Sequence, residues 1–145
     1  MKASKALIEK IKEFEGLRLR AYKPVLTEKN WTIGYGHSGA DVGENMRITE
    51  DYASFLLGID IARVEKQINA LNLTFPQNRY DALVSFVFNV GMGNFKISTL
   101  YKKIRHGAPV PEVQKEFRRW VYANKKVLPG LVKRREYEAS LWAME

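Results

Sequence analysis

The stretch Ala82-Leu83-Val84-Ser85-Phe86-Val87-Phe88-Asn89-Val90 is apolar on nearly every side when wound as a helix. It lies between Pro76, which suits the opening of a helix, and Gly91, a terminator. A helix with no polar face must be enclosed, so this segment is constrained to be central and buried, with other elements wrapped around it.

The enclosing elements are legible as patterns. Leu7, Ile8, Ile11 and Phe14 recur at helical spacing and predict a helix from about Ser4, a good N-cap residue, to about Glu15. Thr49 followed by Glu50 and Asp51 reads as a second helix start, continued by Tyr52, Phe55, Leu56, Ile59, Val64, Ile68 and Leu71. Shorter helices are predicted from about Ser98 to His106, Val113 to Tyr122 and Leu131 to Trp142. They are separated by Gly107, Pro109, Pro111 and the Pro129-Gly130 pair. Between the first two helices, Arg18 to Tyr22 alternates apolar and basic residues, and Trp31, Ile33 and Tyr35 repeat at period two. A hairpin or small sheet with a loop at Lys23 to Lys29 is expected. The fold class is therefore α+β: one domain over residues 1–145, with a small N-terminal β lobe at about 16–48. The larger helical lobe takes in about 49–145 and the N-terminal helix, and a cleft is expected between the lobes.

Composition narrows the chemistry. The chain has no Cys and only two His, His37 and His106, so disulfides and thiolate chemistry are excluded and no metal or cofactor is expected. The N-terminus carries charges every few residues without an apolar run, and no window approaches a membrane span, so no export signal or transmembrane segment is expected. A net charge of +8 favours polyanionic surroundings, whether nucleic acid, anionic lipid or wall polymer. No recognition-helix or finger motif accompanies that charge, which argues against nucleic acid as the partner.

One carboxylate stands out. At about 100° per residue, Glu15 projects about 50° from the centre of the first helix's apolar stripe, so it faces inward or into a cleft. Gly16 is a plausible C′ residue. A carboxyl near the negative end of a helix dipole and partly out of water favours its protonated form, which suits a general acid. The competing reading is an ordinary surface Glu at a helix end.

The wider context favours the catalytic reading. Glu-Gly-Leu-Arg-Leu-Arg-Ala-Tyr from Glu15, then Trp-Thr-Ile-Gly-Tyr-Gly-His from Trp31, resembles the signature of the tailed-phage lysozymes, glycoside hydrolase family 24. Asn-Arg-Tyr-Asp-Ala-Leu-Val-Ser-Phe-Val-Phe-Asn-Val-Gly from Asn78, Asn-Phe-Lys-Ile-Ser-Thr-Leu from Asn94, and Arg118 to Arg135 resemble further family landmarks in order. The resemblance implies a lysozyme-like fold and cleavage of bacterial peptidoglycan with Glu15 as general acid. It also implies that Thr32 positions water or substrate, and that Phe88, Asn89, Ser98, Arg119 and Arg134 lie along the substrate groove. Arg134 is the candidate to pair with the catalytic Glu. His37 is expected to pair with a carboxylate in a structural role, while Phe95, Trp120, Tyr122 and Trp142 are expected as core aromatics.

One departure matters. The family pattern puts Asp or Cys in the loop before the Thr, but here Pro24 or Leu26 falls at that position, depending on the alignment. An inverting hydrolase needs a second carboxylate about 6.5–9.5 Å from the acid. Glu28 is the nearest loop carboxylate that can move in, though an exposed loop Glu is the plainer reading; Asp41 is a weaker substitute. The reading is therefore an endolysin that hydrolyses the β-1,4 bond between N-acetylmuramic acid and N-acetylglucosamine. The alternatives are a lytic transglycosylase using Glu15 alone to form 1,6-anhydro ends, or an inactive wall-binding module. The chain is expected to act as a monomer and to make electrostatic contact with anionic wall or outer-membrane polymers. It is expected to reside in the host cytoplasm until the inner membrane is permeabilised.

Overall fold

The computed structural model describes all 145 residues. The elements run α1 (Lys5–Glu15), β1 (Arg18–Tyr22), β2 (Trp31–Gly34), β3 (His37–Gly39), α2 (Glu50–Asn69) and α3 (Gln77–Val90). They continue with α4 (Met92–Ile97), α5 (Thr99–Arg105), α6 (Val110–Arg118), β4 (Tyr122–Ala123), β5 (Lys126–Val127) and α7 (Pro129–Ala143). The chain divides into two compact units, residues 8–63 and residues 1–7 with 64–145. The first therefore takes in most of α1 and part of α2, rather than only the β segment expected at 16–48.

In the unit of residues 8–63, an antiparallel sheet has the order β1-β2-β3. β2 and β3 pair through Trp31 with Gly39, Thr32 with Ser38 and Ile33 with His37, making a tight hairpin whose second strand the sequence pattern had not specified. The register of β1 against β2 shifts between Arg18 and Tyr22. There β1 bonds instead to the segment before α2, with Ala21 N donating to Met46 O and Ile48 N to Leu19 O, each at 2.9 Å. Ala21, Ile33, Val42 and Leu56 form the unit's small core, covered by Trp31, Met46 and Ile48. Along α2 the inward residues are Ala53, Leu56, Leu57, Ile61, Val64 and Ile68, whereas Tyr52, Phe55 and Ile59 are exposed. Apolar residues occupy two faces of this helix, so periodicity alone assigns these three wrongly.

The other unit is helical. Residues Tyr80 to Val87 of α3 are all buried, as a helix apolar all round requires. Phe86 is the aromatic hub, meeting Phe95, Phe117 and Trp120 edge-on at centroid distances of 6.0, 5.5 and 5.6 Å. The N-terminus is tied to α3, with Ser4 N and Oγ donating to Asp81 at 3.0 and 2.6 Å. Ser4 also caps α1 through its Oγ, which accepts from Leu7 N. Thr49 caps α2 in the same way, accepting from Tyr52 N.

Three boundaries differ from the sequence expectation. α6 starts at Val110 with Pro111 inside its first turn, where proline's missing N–H costs nothing, and it ends at Arg118. Residues beyond it turn through the β4–β5 hairpin over Asn124 and Lys125, both at positive φ, leaving Tyr122 exposed rather than in the core. α4 begins directly after Gly91, within the segment the pattern had left between helices.

Candidate active site

Glu15 is the last residue of α1 and is half-buried. Gly16 follows at φ +73, its N–H donating to Lys12 O at 2.9 Å, so the helix ends on a left-handed glycine. The tip of the β2–β3 hairpin lies against this end. A β-carbon on Gly36, itself at φ +81, would stand 2.7 Å from Glu15 Oε1. Lys12 Nζ lies 5.4 Å from the centre of the Tyr35 ring, one residue before that glycine. Gly36 is thus both a turn residue and a point of close backbone approach. Thr32 is on β2 of the same hairpin and is buried.

The hairpin is anchored by His37. Its Nδ1 meets Asp60 Oδ2 and its Nε2 meets Asp41 Oδ2, both at 2.8 Å. Burial alone would push the imidazole pKa down, but the bonds to Asp41 and Asp60 outweigh it and hold the value above 6.5. The bond from His37 likewise holds Asp41 below 3.8. Asp41, weighed earlier as a second acid, is thus engaged with His37. Glu28 is exposed at a turn where its N–H donates to Val25 O, and Leu26 is 91% exposed.

A run of three basic residues such as Lys133-Arg134-Arg135 ordinarily marks a solvated face, but Arg134 and Arg135 are both buried. They converge on α3. Arg134 Nη2 donates to Ser85 O at 3.0 Å and Nε to Ser85 Oγ at 3.3 Å, with its guanidinium 5.9 Å from the Phe88 ring centre. Ser85 Oγ donates to Glu138 Oε2 at 2.6 Å, and Arg135 pairs with both oxygens of that carboxylate, at 2.7 and 3.1 Å. Burial drives the Glu138 carboxyl pKa upward against the pull of Arg135, Ser85 and Arg134. A charge run reads as surface in sequence, and only the i, i+3 spacing of Arg135 and Glu138 hinted at a pair.

A cavity of 390 Å³ is lined by Ile97, Ser98, Thr99, Glu116, Arg119 and Trp120. Ser98 Oγ caps α5, accepting from Tyr101 N and donating to Phe95 O. Arg119 is exposed and donates to Glu116 at 2.9 Å, while Lys103 Nζ meets the other oxygen at 3.2 Å. Burial works to raise the Glu116 pKa, but these two cations hold it below 4.5. Phe95 and Trp142 are core residues as expected, Trp120 is half-buried, and Asn89 is exposed. Asp60, Glu116 and Glu138 were not singled out by sequence, because an isolated acid on a helix carries no periodic signal.

Residues 12–138 match the family model of the phage lysozymes. The chain belongs to the phage lysozyme family. The chain is 45% identical over 143 residues to an endolysin of Bacillus phage PZA, covering 98% of this chain and 55% of that protein. It is 40% identical to a SAR-endolysin of Bacteriophage PS119, covering 90% and 78%. Among solved structures it superposes on the muramidase domain of SpmX from Asticaccaulis excentricus with a TM-score of 0.88, 36% identity and 99% of each chain covered. The chain spans about half the length of the Bacillus phage endolysins it matches. No helix is long and apolar enough to cross a membrane.

Proposed function

We propose that this protein is a peptidoglycan-degrading endolysin hydrolysing the β-1,4 bond between N-acetylmuramic acid and N-acetylglucosamine. The observation that carries the reading is the placement of Glu15, a half-buried carboxyl at a helix end, held against the Gly36 backbone. Such an acid delivers its proton to the glycosidic oxygen as the bond to the leaving sugar breaks. Thr32 orients water or the sugar, and Glu28 is the carboxylate proposed to activate the water. Phe88, Asn89, Ser98, Arg119 and Arg134 are proposed to contact the glycan or its peptide.

A second reading is favoured by Pro24 and Leu26 at the family's acidic position and by the exposure of Glu28. In that reading Glu15 protonates the glycosidic oxygen and then takes the proton of the sugar's own 6-hydroxyl, whose oxygen closes onto the anomeric carbon as a 1,6-anhydro ring. Mass spectrometry of digested sacculi separates the two. Reducing muramic acid ends support hydrolysis, anhydro ends overturn it in favour of the transglycosylase, and no cleavage overturns both in favour of a wall-binding module.

The enzyme is proposed to act as a monomer on the wall after the inner membrane opens, having accumulated in the host cytoplasm. Fractionating host cells before lysis tests this, because activity already in the periplasm contradicts it. The charge of +8 would draw it to anionic wall or outer-membrane polymers, an attraction that weakens as salt rises.

A further inference from the structure

Tyr52, Phe55 and Ile59 follow one another at helical spacing on the outer side of α2, and all three are exposed. No other helix exposes more than one large apolar side chain, since Ile97 stands alone on α4 and Val132 on α7. The rings of Tyr52 and Phe55 pack on each other at a centroid distance of 5.7 Å, so this apolar surface is continuous rather than scattered. The same side of the helix carries Gly58 and Ala62, both exposed, and a β-carbon on Gly58 would meet nothing within 4 Å. The face ends in charge. Asp51 lies in the first turn and Lys66 in the last, each exposed and without an ion pair in the chain.

This order of residues is self-complementary. Two copies of α2 laid antiparallel about a two-fold axis between Gly58 and Ile59 set Ile59 against Gly58, Phe55 against Ala62 and Asp51 against Lys66, each pair occurring twice. Ile59 and Phe55 each then meet a small residue, which lets the two helices approach closely. Opposite charges meet at both ends, and no like charges are opposed along the seam. A parallel pairing would instead set Asp51 against Asp51 and Phe55 against Phe55, so the pattern selects the antiparallel arrangement. The acidic end also disfavours a lipid surface, because Glu50 and Asp51 would be pressed against anionic headgroups.

We propose that this outer face of α2 is a self-association surface, occupied by α2 of a second copy in the antiparallel arrangement. One helix face buries less than a standard interface, so the pair is transient. It forms where the chain is concentrated and comes apart on dilution, which leaves the monomer as the form that acts on the wall. Sedimentation equilibrium of the full chain from about 10 μM to about 1 mM is the test, with a Kd on the order of 0.1 mM expected. Gly58→Gln puts a long side chain into space that is open in the single copy and raises helix propensity, so it melts no lower than the parent yet abolishes association. Asp51→Lys and Lys66→Asp each weaken association at least about threefold, and the double variant carrying both restores it to within about twofold of the parent. Melting curves establish that the exchange variants are folded. A parent that stays monomeric at about 1 mM overturns the proposal, as does undiminished association in Gly58→Gln. A double variant as weak as either single one overturns the antiparallel register. Flotation with phosphatidylglycerol vesicles is the lipid arm: binding by the parent that is lost in Phe55→Ser reassigns the face to a membrane and overturns the pairing. Dilute Gly58→Gln clears sacculi at the parental rate, and a slower rate overturns the separation of this face from catalysis.

Discussion

Gly36 approaches Glu15 so closely that a β-carbon on it would stand 2.7 Å from the carboxylate's Oε1. The end of α1 and the tip of the β2–β3 hairpin therefore fix each other, and the absence of a side chain at residue 36 defines where the acid sits.

Substituting this glycine should separate activity from stability. Gly36→Ala costs about 1 kcal/mol in backbone strain at φ +81 and displaces the end of a flexible side chain, which is sterically cheap but moves the acid. Gly34→Ala suffers comparable strain at φ +67, with its β-carbon against Ala53 and no contact to Glu15. We expect kcat to fall roughly tenfold or more in Gly36→Ala and to stay near the parental value in Gly34→Ala. Rates that simply track the two melting temperatures would contradict this.

The His37 pair gives a pH signature. The folded pKa of His37 lies above its ordinary 6.5, so its stabilisation is complete below about 6.5 and disappears as pH rises through the folded value. The folded pKa of Asp41 lies below 3.8, so its share is present above that value and is lost as pH falls through the lower folded value. The gap in melting temperature between the parent and His37→Gln should be widest between about pH 4 and 6.5 and should narrow towards alkaline pH. A gap that widens with rising pH would refute the assignment.

Removing Glu138 leaves Arg134 and Arg135 buried without their carboxylate. Glu138→Ala should cost about 3–5 kcal/mol in urea unfolding, against less than about 1 kcal/mol for Glu136→Ala, whose pair with Arg118 is solvent-exposed. Equal costs for the two substitutions would show that the buried network contributes nothing special.

The central helix, the terminal glycine at residue 16 and both hydroxyl caps were legible because each rests on local chemistry: apolar winding, left-handed backbone, and a side-chain oxygen near free N–H groups. The pairing of His37 with a carboxylate was expected, but the role of Asp60 depends on a contact 23 residues away, and no local pattern encodes it. Runs of charge such as Lys133-Arg134-Arg135 are usually solvated, and it is the packing of α7 against α3 and α6 that buries Arg134 and Arg135. The β4–β5 hairpin escaped notice because two-residue strands are too short to show alternation, and Asn124-Lys125 lacks the glycine that marks such turns. At the site, the sequence singled out Glu15 but not the Gly36 contact that holds it, since close approach is a property of the folded backbone.

The account stands most directly on Glu15. The Glu15→Gln variant keeps size and hydrogen bonding but cannot donate a carboxylic proton, so it should clear a suspension of purified sacculi at least about a hundredfold more slowly than the parent while melting within a few degrees of it. Clearance at the parental rate by the folded variant would contradict the assignment of Glu15 as the acid.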